Sequence, residues 1–149
     1  MVSLRPITDA NRHAIEALAV TPDQQRFVSG VRESILEAEE EPDARALYWA
    51  IYADETPVGF VMIADEVGSP DYIAHYLWKL LIDEHYQRRG FGKATLGLIV
   101  EYFRSRGVGT MWTSTGHGDG SPVTSYERYG FERTGDLHGG EILLRLEIS

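Results

Sequence analysis

Residues 76–103 read YLWKLLIDEHYQRRGFGKATLGLIVEYF, and no other stretch limits the possible folds as tightly. Its opening apolar run is too short to span a membrane and is flanked by charge, which predicts a buried strand. Gln87-Arg88-Arg89-Gly90-Phe91-Gly92 then turns the chain. Beyond the turn Phe91, Ala94, Leu98, Ile99 and Tyr102 recur at helical spacing, the apolar stripe of an amphipathic helix. The stretch therefore predicts strand, glycine turn and helix in immediate succession.

Such a turn leaves the first amides of the helix without acceptors and aims them into the loop, where the helix dipole adds positive potential. Gly90 and Gly92 allow a ligand close to the backbone, and Arg88, Arg89 and Lys93 surround the same point with cations. A phosphate or pyrophosphate suits this arrangement. Two phosphate loops are excluded by residue identity. The Walker pattern needs glycine where Gln87 stands, and Ala94 follows the lysine; the dinucleotide pattern needs glycine where Thr95 stands.

The pattern that does match is Q/R-x-x-G-x-G, and with it the chain resembles the GNAT superfamily of acetyl-CoA-dependent N-acyltransferases. A second motif of that family lies downstream, where Ser125-Tyr126-Glu127-Arg128-Tyr129-Gly130-Phe131 is similar to its "lYeklGF" signature. Four local matches resemble the bacterial diamine and polyamine N-acetyltransferases in particular: Thr8-Asp9-Ala10-Asn11-Arg12, Gln25-Arg26-Phe27-Val28, Val58-Gly59-Phe60-Val61-Met62, and Gly120-Ser121-Pro122 ahead of Tyr126.

The remaining elements follow from local signals. Val2–Arg5 alternates as a strand, Thr8 is placed to cap a helix over 9–19, and Thr21-Pro22-Asp23-Gln24 has the capping-box start of a helix reaching Glu41, with Phe27, Val28, Val31, Ile35 and Leu36 inward. Residues 46–53 and 58–64 read as a hairpin and 72–82 as the central strand. A short strand over 110–113 and a glycine-rich loop over 116–120 come after the long helix. Ser121 and Pro122 start a short helix ending at Gly130, and strands over 131–134 and 141–148 close the chain. The resulting order, β-α-α-β-β-β-α-β-α-β-β, is that of the GNAT fold. The expectation is one α/β (α+β) domain over 1–149, a mixed, mostly antiparallel sheet flanked by helices, with a splayed central strand.

Charge narrows the partners. Residues 1–84 carry 6 Lys and Arg against 16 Asp and Glu, net −10, and residues 85–149 carry 8 against 7, net +1. This balance disfavours nucleic acid and favours a small cationic partner. The chain has no cysteine, which excludes disulfides, thiolate metal sites and cysteine nucleophiles. No long apolar run or signal-like start is present, so a soluble cytoplasmic protein without membrane association is expected.

The resemblance implies transfer of acetyl from acetyl-CoA, as co-substrate, directly to a primary amine. Tyr126 would protonate the departing thiolate, a task that a phenol with an ordinary pKa of about 10 can perform at neutral pH. Tyr129 is then expected to be structural. The backbone of Leu80, Leu81 and Ile82 would bind the pantetheine arm, and Gln87, Arg88, Arg89, Gly90, Phe91, Gly92 and Lys93 the pyrophosphate. Some family members place a glutamate early in the central strand as base; Tyr76 stands there in this chain, beside His75. A water-relayed base is expected instead, with Glu84, His75 and His117 as candidates. His117 and Asp119 alone are too few for a metal site, and none is expected. Glu33 and Glu37, one helical turn apart, would pair with the spaced ammonium groups of a diamine or polyamine, with Trp78, Tyr48 or Trp49 as cation–π neighbours. Three readings of function stay open: a diamine or polyamine acetyltransferase, a protein or peptide N-acetyltransferase, and a non-enzymatic acyl-CoA-binding module. The terminal hairpin could pair two subunits into a homodimer.

Overall fold

Val58-Gly59-Phe60-Val61-Met62-Ile63-Ala64 is apolar at every position, the pattern of a strand covered on both faces. In the computed structural model, which describes residues 1–148, this segment belongs to β3 (Thr56–Ala64), and 58–64 is buried throughout. Val61 and Ile63 point into one core, Phe60 and Met62 into the other. The sheet is thus sandwiched between helices.

In chain order the elements are β1 (Val2–Arg5), α1 (Arg12–Glu16), α2 (Val31–Glu40), β2 (Ala46–Ala53), β3, β4 (Tyr76–Ile82), α3 (Phe91–Ser105), β5 (Thr110–Thr115), α4 (Val123–Tyr129), β6 (Glu132–His138) and β7 (Glu141–Glu147). The seven strands lie in the order β1-β2-β3-β4-β5-β7-β6, antiparallel except for β4 and β5. The larger core joins the sheet to α3 through Leu96, Ile99 and Phe103 and to α4 through Val123 and Tyr126. The smaller core uses Ile15, Val31 and Ile35 from α1 and α2 on the opposite face.

Two irregularities in β4 shape the centre of the molecule. Ile63 pairs with Leu77 and Met62 with Lys79, so Trp78 is an extra residue against β3, a β-bulge. β4 also meets β5 only at Tyr76↔Trp112 and Leu77↔Thr113. From Trp78 to Ile82 the edge facing β5 has no strand partner, while the opposite edge stays paired with β3 as far as Gly59↔Ile82. The splayed strand expected from the sequence is present. Thr113 sits at the apex of the split, where its hydroxyl donates to the Leu77 carbonyl at 2.9 Å.

Several expected boundaries shift, each for a local reason. The first helix shrinks to Arg12–Glu16, and Thr8 does not cap it: Asn11 precedes the helix, and its Oδ1 accepts from the Thr8 amide at 2.8 Å. The long helix expected from Thr21 to Glu41 breaks at Gly30, which is extended (φ −63°, ψ 168°), and α2 starts at Val31. Half of the capping box survives, with the Thr21 amide on Gln24 Oε1 at 3.3 Å, but it closes an isolated turn. β4 begins at Tyr76, and Tyr72 lies outside it with its hydroxyl on Glu41 Oε1 at 3.1 Å.

The buried face of α3 is rotated from the expected stripe: Ala94 and Leu98 are exposed, and Thr95, Leu96, Val100 and Phe103 are covered. Thr95 tolerates burial because its hydroxyl donates to the Phe91 carbonyl at 2.8 Å. Leu36 likewise turns outward, and Ser34 takes the inner position with its hydroxyl on Gly30 O at 2.8 Å.

Candidate active site

Where β4 parts from β5, a cleft of about 770 Å³ opens between the glycine turn and α4. Its floor is the free edge of β4 at Leu80 and Ile82, its end wall the turn at 87–93, and its far wall Ser125, Tyr126 and Tyr129. Residues 24–28 border the same space through Gln24, Phe27 and Val28. Arg26 pins this segment to the 116–120 loop through the Asp119 carbonyl at 2.7 Å.

The turn is held open by its own chemistry. Gly90 takes φ 83°, ψ 6° directly before α3, a conformation that only glycine adopts without strain. A Cβ built on Gly90 would meet nothing within 4 Å, and one on Gly92 would meet only the Ile82 side chain at 3.9 Å. Packing within the protein therefore does not require these glycines to be bare, and their missing side chains leave the backbone open to the cleft. The Ala94 amide is the first of α3 to close on the chain, onto Gly90 O at 3.0 Å. Helix geometry leaves the amides of Phe91, Gly92 and Lys93 without intrahelical acceptors, an N-terminus suited to an anion.

Gln87 braces the turn rather than lining it alone. Its Nε2 donates to Ile82 O at 2.9 Å and to Gln24 Oε1 at 2.8 Å, tying the turn to β4 and to the bordering segment. Asp83 secures the other side: its carboxylate accepts from the amides of Ala19 at 3.0 Å and His85 at 3.0 Å. Burial by itself would raise its pKa, but these amides and the His85 ring outweigh it and hold the carboxyl below its ordinary value.

Tyr126 is buried in the wall of the cleft, against Phe131. Burial, reinforced by the nearby Tyr76 phenol, pushes its pKa well above that of an ordinary tyrosine, and a hydrogen bond with Thr113 opposes the rise. The phenol therefore stays protonated throughout the neutral range. Since Thr113 spends its own proton on Leu77 O, it can accept from Tyr126.

A second cavity, of about 350 Å³, shares Phe27 with the first and lies at the opposite end of β4. Glu37 of α2, Glu41 just beyond its end and Glu141 of β7 line it, along with Tyr72, Tyr76, Trp78, Lys79 and His138. Glu37 pairs with Lys79 at 3.1 Å. Three carboxylates against one ammonium leave the lining at −2 with His138 neutral. The two cavities thus differ in sign: one is rimmed by Arg88, Lys93 and Arg128, the other by acids.

A profile of the Acetyltransferase (GNAT) family matches residues 28–131. The chain belongs to this family. It is accordingly an acetyl-CoA-dependent N-acetyltransferase. Two curated proteins of Bacillus subtilis, a probable spermine N(1)-acetyltransferase of subspecies natto and the spermine/spermidine N(1)-acetyltransferase of strain 168, are each 24% identical to it over 97% of both chains. The ribosomal protein bS18-alanine N-acetyltransferase of Escherichia coli K12 is 33% identical over 55 residues, 37% of each chain. Among solved structures, PaiA N-acetyltransferase of Thermoplasma acidophilum in complex with coenzyme A superimposes with a TM-score of 0.69 at 14% identity, covering 99% of both chains. A GNAT acetyltransferase of Elizabethkingia anophelis with acetyl-CoA bound does so with 0.65 at 14% identity, covering 98% of this chain and 97% of that one.

Within this GNAT frame the residues expected from the sequence separate. Leu80, Ile82, Gln87, Arg88, Gly90, Phe91, Gly92, Lys93 and Tyr126 all line the larger cleft. Leu81 faces the opposite core, and only its backbone belongs to the free edge of β4. Arg89 does not line the cleft; its guanidinium lies 5.6 Å from the Tyr86 ring centroid. Tyr129 borders the cleft and packs near Phe131.

Glu37 and Trp78 line the acidic cavity, whereas Glu33 lines neither cavity and folds back toward Gly30 in the first turn of α2. Of the three candidate bases, His75 packs edge-on against Phe103 and Glu84 sits in the exposed turn beside His85. His117 is exposed in its loop, and none of the three lines the cleft or the acidic cavity. Arg128, Glu41 and Glu141 were not singled out by the sequence. Arg128 lay inside a motif read for its tyrosine, and the two glutamates come together only in the folded chain.

Among the described residues no helix is long and apolar enough to cross a membrane, and no group of three or more His, Asp or Glu side chains is placed to hold a metal ion.

Proposed function

We propose that this protein transfers the acetyl group of acetyl-CoA to a primary amine of a small polycationic acceptor, a diamine or polyamine, by direct attack within a ternary complex. The observation that carries this reading is the pairing of a cation-rimmed cleft with an acidic, aromatic cavity across Phe27. The free edge of β4 at Leu80–Ile82 takes the pantetheine arm through backbone hydrogen bonds. The amides at the start of α3, with Arg88, Lys93 and Arg128, take the pyrophosphate. Tyr126 gives its proton to the departing thiolate. Glu37 and Glu41 receive the distal ammonium groups of the acceptor, and Trp78 offers a cation–π face.

The two Bacillus relatives, matched over nearly their full length, support a polyamine as the acceptor. The Escherichia coli relative raises a second reading, acetylation of a peptide amine, although its match covers 37% of the chain. An acidic cavity of about 350 Å³ with aromatic side chains in its lining suits a small cation. Thiol release from acetyl-CoA with spermine, spermidine, putrescine, a monoamine and a lysine peptide separates the readings. Polyamines should be turned over with the lowest KM. Turnover of the peptide alone would replace this reading with the second, and no turnover of any amine despite acetyl-CoA binding would favour a binding module.

A further inference from the structure

Tyr76, Ser114 and Glu141 come from three different strands and meet in one hydrogen-bonded chain on the wall of the acidic cavity. Ser114 Oγ donates to Glu141 Oε1 at 2.8 Å. A serine hydroxyl has one proton, so the short contact between Ser114 and Tyr76 must be donated by the phenol. The proton order is thereby fixed as Tyr76 to Ser114 to Glu141. It leaves a lone pair of Tyr76 Oη as acceptor at one end and a carboxylate as the sink at the other.

From this chain we infer that the acceptor ammonium is deprotonated through Tyr76 and Ser114 onto Glu141. The inference rests on the reading that the acceptor amine occupies the acidic cavity. The N–H bond breaks as its proton passes to Tyr76 Oη, the phenol proton passes to Ser114 Oγ, and the serine proton passes to Glu141. The products are a neutral amine with its lone pair free and a neutral carboxylic acid, while Tyr76 and Ser114 end unchanged. Glu141 then releases the proton to solvent through the cavity. Burial raises the pKa of Tyr76, which favours a phenol that relays protons over one that stays ionised.

The charged and titratable groups facing Glu141 are Glu37 from α2, Glu41 just beyond the end of α2, Tyr72 from the β3–β4 connection, Tyr76 and Lys79 from β4, and His138 from β6. Glu37 pairs with Lys79 through Oε2 and Glu41 accepts from Tyr72 through Oε1, so each keeps a second oxygen for an ammonium group, and neither is linked to Tyr76. His138 stacks edge-on against Tyr76 with centroids 5.6 Å apart, so it is the competing base that must be tested.

The test is the pH dependence of kcat, measured with whichever amine the wild type acetylates, for Glu141→Gln, Ser114→Ala and His138→Asn. General bases contribute about 10²- to 10⁴-fold. Glu141→Gln should lose kcat on that scale, keep the KM for acetyl-CoA, and recover about tenfold per pH unit as free amine accumulates. Ser114→Ala leaves the carboxylate in place but cuts the chain, and should show the same profile; it also carries the test if Glu141→Gln fails to fold. His138→Asn should retain the wild-type profile.

A Glu141→Gln enzyme with altered amine KM but unchanged kcat and profile would overturn the relay, as would wild-type kcat in Ser114→Ala or loss of the acidic limb in His138→Asn. A wrong acceptor assignment would appear in the amine panel instead, as turnover of the peptide alone, whereas the profiles compare each variant with the wild type on one and the same amine.

Discussion

The cation-rimmed cleft takes nine of its lining residues from the single stretch 80–93, whereas the acidic cavity is assembled from α2, the β3–β4 connection, β4, β5 and the β6–β7 hairpin. The first is made largely of backbone: a strand edge without a partner, a glycine turn and the amides of a helix start. The second is made of side chains that converge from afar. A cofactor shared across a family can be held by geometry that one contiguous motif encodes, while the acceptor is selected by groups that can change one at a time. Acceptor preference is therefore the property most open to revision by single substitutions.

Breaking the junction between the two regions should have the largest effect. Tyr126→Phe removes the proposed proton donor and should lower kcat by about 10²- to 10⁴-fold while leaving acetyl-CoA affinity within about twofold, as read by thiol release and calorimetry. Because burial and the neighbouring Tyr76 raise its pKa, the phenol remains an acid as pH rises through 7 to 9. Tyr126 should contribute no descending limb there.

Next in size is the donor side alone. Arg88→Ala with Arg128→Ala should raise the KM for acetyl-CoA by about tenfold and leave the amine KM unchanged, since charge-assisted bonds at an exposed rim are individually modest. Arg89→Ala, which removes a group stacked on Tyr86, should change neither.

On the acceptor side, Glu37→Gln with Glu41→Gln should raise the KM for spermidine by about three- to tenfold, with a smaller change for a monoamine. Glu33→Gln should leave both constants in place. Equal losses for the two amines would mean that α2 supports the cavity wall and does not select the ligand.

The smallest expected effect is on stability. Asp83→Asn should cost about 1–2 kcal/mol at pH 7, measured by denaturant unfolding, because two amides lose an ionised acceptor. The folded-state pKa of Asp83 is depressed, so its contribution is full above the ordinary aspartate value of about 3.9 and is lost as pH falls through the lower folded value. Wild type and variant should converge in strong acid.

The same contrast explains what could be read from the sequence. The strand–turn–helix unit depends on near neighbours and is legible in the chain itself, whereas the splayed sheet and Tyr126 are expected from the family resemblance that two short motifs carry. The acidic cavity depends on Glu41, Ser114 and Glu141 meeting across 100 residues, and no local pattern marks such a meeting. Helix phase failed where polar side chains found partners inside: Thr95 and Ser34 are buried because each hydroxyl bonds a carbonyl of its own helix or cap, and an apolar-only stripe passes over both. The break at Gly30 was hidden by a good capping box nine residues earlier, whose turn forms and then stops.

The claim that the two cavities hold the two substrates of one reaction is tested most directly by a bisubstrate conjugate, coenzyme A joined through an acetyl bridge to a primary nitrogen of spermidine. Calorimetric titration should find it bound at least about tenfold more tightly than coenzyme A. Glu37→Gln with Glu41→Gln should weaken the conjugate but not coenzyme A, and Arg88→Ala with Arg128→Ala should weaken both. A conjugate that binds no better than coenzyme A, with an affinity indifferent to Glu37 and Glu41, would contradict the account.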